Sequence, residues 1–228
     1  MARFKRLKVL NEILHVGLIP IFYHPDLETA IRIVAACRSG GARVVEYTNR
    51  GDNAYRVFSD LVIHFARQDP EAILGVGSIA DPATAAIYIA SGANFVVGSM
   101  LNPDVARLCN RHKVPYIPGC ASPSEISQAE ELGVEIVKIF PGCALGGPDF
   151  VRAVLGPTPW TLMLPTSGVQ PTEESIRAWF GAGVAAVGIT GELVRKDWVE
   201  AGEYASIAAK TAEVIGWIRQ VRSQMPTT

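Results

Sequence analysis

Residues Val134 to Pro141 read VEIVKIFP, a short apolar run that predicts a buried β-strand. Lys138 interrupts this run, whereas the other lysines of the chain lie in polar or helical stretches. Burial disfavours a charged ammonium and lowers the pKa of a lysine towards the neutral amine, the form that attacks carbonyl carbons. The same pattern also fits a lysine whose side chain reaches solvent from the strand end, or one that pairs with Glu135.

The run around Lys138 is one of eight short apolar runs that alternate with amphipathic, helix-like stretches. The predicted strands are Leu18–Phe22, Arg43–Tyr47, Ala72–Val76, Asn94–Val97, Pro115–Ile117, Glu135–Ile139, Thr161–Leu164 and Ala185–Ile189. A weak internal repeat places Gly-Ala or Gly-Val just before a strand at Gly41, Gly92, Gly133 and Gly183. Continuous apolar strands separated by helices favour an α/β fold, a closed parallel (β/α)₈ TIM barrel. An open, doubly wound sheet is the alternative.

The length fits a single barrel domain that spans residues 1–228, since no linker-like or low-complexity segment divides the chain. An N-terminal helix within residues 1–16 is predicted to pack on the barrel, because apolar residues there recur at helical spacing: Phe4, Leu7, Leu10 and Leu14. Residues 197–224 are predicted to form one or two terminal helices that cover the barrel wall.

The composition argues against several classes of function. A formal net charge of −1 does not predict binding to nucleic acid or to an anionic membrane. No run reaches the length of a transmembrane helix, and residues 2–15 lack the continuous apolar stretch of a signal peptide. The four cysteines and four histidines form no CxxC, HxxxH or HExxH motif, so neither a metal site nor a disulfide framework is expected. A reduced, cytoplasmic protein is predicted.

The carboxyl ends of barrel strands meet at one face, which is where such folds carry their chemistry. Side-chain alternation and strand order predict that Glu46 and Lys138 face each other across an eight-stranded ring. Such a pair is either a structural ion pair or a base and a nucleophile, and the glycine-rich loops nearby favour the second. Arg50 adds a guanidinium fork suited to a carboxylate. Gly-containing loops after the seventh and eighth strands occupy the usual barrel position for a phosphate.

Four motifs, taken together and in order, carry a resemblance to a known family: Val45–Arg50 (VEYTNR), Gly75–Ser78 (GVGS), Pro118-Gly119 followed by Ser122–Glu125 (SPSE), and Val137–Pro141 (VKIFP). The stretch from about Gly17 to Val194 resembles the 2-keto-3-deoxy-6-phosphogluconate and 4-hydroxy-2-oxoglutarate aldolases. The resemblance implies a class I aldolase, an aldehyde-lyase that cleaves a 2-keto-4-hydroxy acid to pyruvate and glyceraldehyde 3-phosphate or glyoxylate. It also implies a homotrimer that needs no metal or organic cofactor.

Carried over to the matching positions, the resemblance implies that Lys138 forms the Schiff base and that Glu46 is the general acid and base. It further implies that Arg50 holds the pyruvyl carboxylate and that Phe140 forms an apolar wall beside the imine. The remaining predicted substrate-binding residues follow the strand ends: Ser78, Ser99, Thr166, Ser167, Gly168, Thr190 and Gly191.

Three segments depart from the family pattern. Gly98-Ser99-Met100 replaces a Ser-Pro-Gly found in many relatives, and Ser167-Gly168 replaces a Gly-Gly pair. Thr190-Gly191 stands where relatives carry Gly-Ser, and it is followed by Glu192. A carboxylate at that place disfavours a phosphate dianion if it points inward. The sequence therefore predicts pyruvate-forming cleavage and leaves open whether the substrate is phosphorylated.

Two other functions fit the same residues. In one, the chain is a phosphate-binding barrel isomerase or synthase in which Lys138 only neutralises an anion. In the other, it is a non-catalytic barrel that binds a ligand or serves in an assembly. Detection of an imine on Lys138 distinguishes the aldolase from both. His24, after the first predicted strand, is placed to contact a ligand or to cap the next helix.

Overall fold

The computed structural model describes residues 2–224. Parallel strands alternate with helices along this part of the chain. The strands are β1 (Leu18–Phe22), β2 (Val44–Thr48), β3 (Ile73–Gly77), β4 (Val96–Val97), β5 (Tyr116–Ile117), β6 (Gly119–Cys120), β7 (Val137–Ile139), β8 (Met163–Pro165) and β9 (Val187–Ile189). The helices are α1 (Arg6–Val16), α2 (Leu27–Ser39), α3 (Ala54–Gln68), α4 (Pro82–Ala90), α5 (Pro103–His112), α6 (Pro123–Glu131), α7 (Pro148–Leu155), α8 (Glu173–Gly181), α9 (Lys196–Glu200) and α10 (Tyr204–Ser223).

The strands form two parallel sheets, in the orders β5-β4-β3-β2-β1-β9 and β6-β7-β8. Each predicted strand has a counterpart, and a further short strand, β6, follows the fifth. Pro118 separates β6 from β5 because proline has no N–H to continue a ladder. At one junction of the sheets the Lys138 N–H donates to the Pro118 carbonyl over 2.8 Å. At the other, Thr166 forms an isolated parallel bridge with Gly188. The predicted α/β class with parallel strands is confirmed.

The glycine repeat read from the sequence has a conformational cause. Gly41, Gly92, Gly133 and Gly183 adopt φ values of 97°, 100°, 80° and 101°, a region that side chains with a Cβ rarely enter. Each glycine lets the chain leave one helix and turn directly into the next strand. The recurrence therefore marks the same helix-to-strand connection, used several times along the chain.

The interior between the strands is filled with apolar side chains. Phe95 is fully buried in it, and a Cβ added to Gly75 would lie 2.3 Å from the Phe95 ring. Below it, Val9, Leu10 and Ile13 of α1 join the same apolar cluster, so this helix covers the amino-terminal end of the strands. The carboxyl-terminal end is thereby left as the open face.

The N-terminal helix differs from its prediction in two respects. It begins at Arg6 rather than within the first residues, because the Asn94 side chain accepts the backbone N–H groups of Arg3 and Phe4 and keeps that segment out of the helix. The predicted burial of Leu7 is wrong, since its side chain is 71% exposed and the buried face runs through Val9 and Ile13.

The remaining domain predictions cover the chain ends. Helices α9 and α10 occupy the stretch predicted for residues 197–224. Met1 and residues 225–228, which the predicted single domain includes, lie outside the described residues. Among residues 2–224, no helix combines the length and apolar character needed to cross a membrane.

Candidate active site

Glu46 and Lys138 lie in the middle of β2 and β7, and both side chains are buried. Glu46 is 2% exposed and Lys138 is 7% exposed. Both line one cavity of about 250 Å³ at the carboxyl-terminal ends of the strands. Glu135, the alternative partner of Lys138, instead forms an ion pair with Arg6 at 2.7 Å on the protein surface. The structure therefore brings the predicted acid and the predicted amine into one enclosed space.

Burial shifts both groups towards their neutral forms. It raises the pKa of Glu46, an effect opposed by attraction to Lys138 and Arg50. It lowers the pKa of Lys138; repulsion from Arg50 adds to this lowering, whereas attraction to Glu46 opposes it. Among the ion pairs within 4.0 Å in residues 2–224, none joins Glu46 to Lys138. The arrangement thus supplies an amine that is more easily deprotonated and an acid that is more easily protonated than their exposed counterparts.

Gly77 makes room for the Glu46 carboxylate. It belongs to β3, the neighbour of β2, and a Cβ added there would lie 1.7 Å from Glu46 Oε1. Any side chain at this position would displace the acid. The sequence places Gly77 in one of the family motifs, but no role was predicted for it. The available signal was that the strand of Gly77 comes next along the chain after the strand of Glu46.

Three further predicted residues surround the pair in the same cavity. The Arg50 side chain is exposed at the rim and makes no hydrogen bond or ion pair within residues 2–224. Ser78 directly follows β3 with a left-handed φ of 63°, which turns the chain across the opening. The Phe140 ring centre lies 4.8 Å from Lys138 Nζ and forms an aromatic wall beside the amine.

The segments after β8 and β9 complete the cavity, as predicted for Thr166, Ser167, Gly168 and Thr190. Thr166 Oγ1 is buried and has no hydrogen-bond partner within residues 2–224, so it is available to a molecule in the cavity. Glu192 also lines this cavity. Its carboxylate therefore lies beside the loops after β8 and β9, where the sequence predicts a phosphate site.

Two predicted residues lie elsewhere. Gly191 lines a neighbouring cavity, which it shares with Thr190. Ser99 lies outside both cavities, because its carbonyl packs against Gly119, where an added Cβ would be 2.2 Å from that oxygen. The Tyr116 hydroxyl donates to the Met100 carbonyl over 3.1 Å and holds this segment in place.

Sequence reasoning assigned no site role to Thr48 and Gly188, which also line the cavity. Thr48 follows Glu46 by two residues and therefore lies on the same strand face, a signal that alternation provides. Gly188 is required by its neighbours, since an added Cβ would lie 2.5 Å from Thr166 Cγ2. Within the described residues, no group of three or more His, Cys, Asp or Glu side chains is placed to hold a metal ion.

Residues 9–210 match the family model described as "KDPG and KHG aldolase". The chain belongs to this aldolase family. It is 30% identical over 199 residues to the KHG/KDPG aldolase of Escherichia coli K12, a match that covers 87% of this chain and 90% of that enzyme. It is 34% identical over 155 residues to the 2-dehydro-3-deoxy-phosphogluconate aldolase of Treponema pallidum, covering 68% and 72%.

Among solved structures, the aldolase resembles KDPG aldolase from Legionella pneumophila with a TM-score of 0.80 and 25% identity. That match covers 89% of this chain and 97% of the Legionella chain, in which pyruvate was captured at low pH as a covalent carbinolamine. The prediction of a Schiff-base aldehyde-lyase is confirmed at the level of the family.

Proposed function

We propose that this aldolase cleaves a 2-keto-4-hydroxy acid to pyruvate and an aldehyde through an imine on Lys138, with Glu46 as the general acid and base. One observation carries the assignment of roles. Lys138 and Glu46 are buried in a single cavity, are not joined by a short ion pair, and are both shifted towards neutrality. A structural ion pair would hold both groups charged and in contact.

The first half of the reaction forms the imine. The neutral Lys138 amine attacks the C2 carbonyl of the keto acid, and proton transfers give a neutral carbinolamine. Glu46, whose pKa is raised by burial so that the acid form is favoured, donates its proton to the carbinolamine hydroxyl, which leaves as water. The product is a protonated imine that withdraws electrons from C3. The Glu46 carboxylate formed in this step is then ready to act as a base.

The second half breaks the carbon–carbon bond. The Glu46 carboxylate takes the proton of the C4 hydroxyl, the aldehyde leaves, and the C3–C4 electron pair moves into an enamine. Protonation of the enamine at C3, followed by addition of water and release of the amine, returns Lys138 and pyruvate. One carboxyl group serves each step because its protonation state alternates.

The proposed substrate contacts follow from the polar groups that line the cavity. Arg50 binds the pyruvyl carboxylate, an assignment supported by its lack of a partner within residues 2–224. Phe140 packs against the imine, and Ser78 and Thr166 offer hydroxyl groups to the substrate. Ser167, Gly168 and Thr190 contact the end of the substrate remote from C2.

We also propose that the two sheets belong to one (β/α)₈ barrel in a single domain of residues 1–228. The pairing of β1 with β9 and the Thr166–Gly188 bridge support closure of the ring. A homotrimer is proposed from the family resemblance, and a cytoplasmic location is proposed from the cysteine pattern. Light scattering on the purified chain would test the trimer.

Borohydride trapping tests the central proposal. Incubation with pyruvate and sodium borohydride is expected to add one reduced pyruvyl group, and peptide mass mapping is expected to locate it on Lys138 alone among the six lysines. Omission of pyruvate is the control. An adduct on another lysine, or none, would reject the assignment.

Gly77→Ala is expected to lower kcat about 10²-fold or more, because its Cβ would lie 1.7 Å from Glu46 Oε1 and displaces the carboxylate by more than about 1 Å. The change is made in β3, outside the reacting groups. Gly216→Ala in α10 is the matched control, since a Cβ there meets no atom within 4 Å. Steady-state cleavage assays measure both variants. Wild-type activity in Gly77→Ala would show that the position of the carboxylate is unimportant.

We propose that the preferred substrate is not phosphorylated, because Glu192 lines the part of the cavity that would receive the phosphate. Removing that charge in Glu192→Gln is expected to raise kcat/KM for the phosphorylated substrate, relative to 4-hydroxy-2-oxoglutarate, about tenfold. The control is Glu174→Gln, an exposed acid on α8. An unchanged ratio would mean that Glu192 does not repel the phosphate.

A further inference from the structure

A second cavity adjoins the candidate active site. It has a volume of about 400 Å³ and lies between the segments after β1 and β9 and helix α9. Four lining residues are common to both cavities: Ile21, Thr48, Arg50 and Thr190. The two cavities therefore adjoin along a wall that includes Thr190. Its volume falls in the range of about 300–1,000 Å³ that is usual for small-molecule sites.

The walls of the second cavity are largely apolar. Phe22 and Ile33 are buried side chains of β1 and α2, and Val194 and Val199 come from the segment after β9 and from α9. Tyr23 adds an aromatic face whose ring centre lies 5.6 Å from that of Tyr47. Contact with these groups favours an apolar occupant.

Apart from Arg50, the acidic and basic side chains that line the second cavity have partners within residues 2–224. Lys196 pairs with Glu200 at 3.5 Å, so their charges compensate. Nδ1 of His24 accepts the backbone N–H of Asp26 over 3.1 Å. The cap of α2 predicted as one role for His24 is instead Asp26, whose side chain accepts the Thr29 N–H. Arg50 remains as a charged group, and under the proposed function it binds the pyruvyl carboxylate. The rest of the wall thus holds no uncompensated charge to attract an ionic group.

The two cavities favour different chemical groups at the end of the substrate beyond C4. Glu192 lines the first cavity and not the second, so an anion beyond C4 is repelled in the first cavity. The second cavity offers such an anion no free cation, because Arg50 is assigned to the pyruvyl carboxylate and Lys196 is paired with Glu200. We propose that the second cavity is a subsite for an uncharged alkyl or aryl substituent on C4 of the keto acid. This inference rests on the proposed function and specifies its aldehyde as one with an apolar side chain.

The test compares 4-hydroxy-2-oxo-4-phenylbutanoate with 4-hydroxy-2-oxoglutarate, using pyruvate release as the readout. Wild type is expected to cleave the phenyl substrate with a kcat/KM at least equal to that for the dicarboxylate. Val199→Phe, which fills the second cavity, is expected to lower the ratio of the two kcat/KM values about tenfold or more. Val57→Phe is the matched control, another half-buried helix valine that lines neither cavity, and its ratio should equal that of wild type.

If Val199→Phe does not fold, Val199→Leu replaces it. Leucine adds less volume to the second cavity, so a smaller decrease in the ratio of the two kcat/KM values is expected. A wild type that fails to cleave the phenyl substrate would overturn the subsite, and so would an unchanged ratio in the folded Val199 variants. Pyruvate trapping on Lys138 is measured on the same samples. Absence of trapping would instead reject the proposed function, which keeps the two failures distinct.

Discussion

Replacing Lys138 with Met is expected to lower kcat for aldol cleavage by about 10⁴-fold or more and to abolish trapping of pyruvate by borohydride. Methionine has a similar length but no amine, so neither the carbinolamine nor the imine can form. Activity measured through pyruvate release and adduct mass measured on the intact chain provide two independent readouts. Both should be lost together, because both depend on the same nitrogen.

The folded state should survive this substitution. Burial lowers the pKa of Lys138, which means that the folded protein does not favour the charged ammonium. Methionine removes the free-energy cost of burying a charge. The thermal midpoint of Lys138→Met near neutral pH is therefore expected to equal or exceed that of wild type. Lys8→Met, which breaks an exposed ion pair with Glu71, is the control and should retain activity. Substantial cleavage by Lys138→Met would exclude imine catalysis at this residue.

Glu46→Gln is expected to lower kcat about 10²- to 10⁴-fold, with a much smaller change in KM. The amide retains the size and hydrogen-bonding atoms of the acid but cannot exchange a proton at the carbinolamine or at the C4 hydroxyl. Steady-state kinetics on 4-hydroxy-2-oxoglutarate measure the effect. Glu174→Gln on the exposed face of α8 is the control for a neutralised carboxylate elsewhere.

The stability of Glu46→Gln gives a second measurement with a defined sign. Burial raises the pKa of Glu46 above its ordinary value of 4.5, so the folded chain binds this proton more tightly than the unfolded chain does. That contribution is fully present below pH 4.5 and is lost as pH rises through the raised pKa. The thermal midpoint of Glu46→Gln minus that of wild type should therefore increase as pH rises from 4.5 through the raised pKa of Glu46. A variant-minus-wild-type difference in thermal midpoint that decreases as pH rises would contradict the raised pKa of Glu46.

Much of the fold can be predicted from local patterns. Apolar runs of strand length located the counterparts of all eight predicted strands, and β1 was predicted to the residue. The first residues of the other strands shifted by one or two positions, since hydrogen-bond pairing rather than hydrophobicity sets where a strand begins. Asn94, for example, was predicted as strand, yet its side chain accepts the N–H groups of Arg3 and Phe4. No local pattern contains a contact across 90 residues or more.

The chemistry-bearing residues were easier to predict than their surroundings. A lysine and an acid inside apolar strands are conspicuous, and the strand order places them at one end of the sheet. Ser99 shows the limit of this reasoning: it follows a strand like the others, but the packing of its carbonyl on Gly119 keeps it out of the cavity. Proximity of a strand end to the active face does not set the direction of the chain that follows.

The sequence by itself determined the parallel α/β class, the place of Lys138 and Glu46 within apolar strands, and the family, because each depends on residue type and on spacing along the chain. Only the tertiary structure decided that Gly77 leaves space for the Glu46 carboxylate, that Glu192 lines the first cavity, and that a second apolar cavity adjoins it. These features arise where segments distant in the sequence meet. Their distances depend on how whole elements pack, which no single segment specifies.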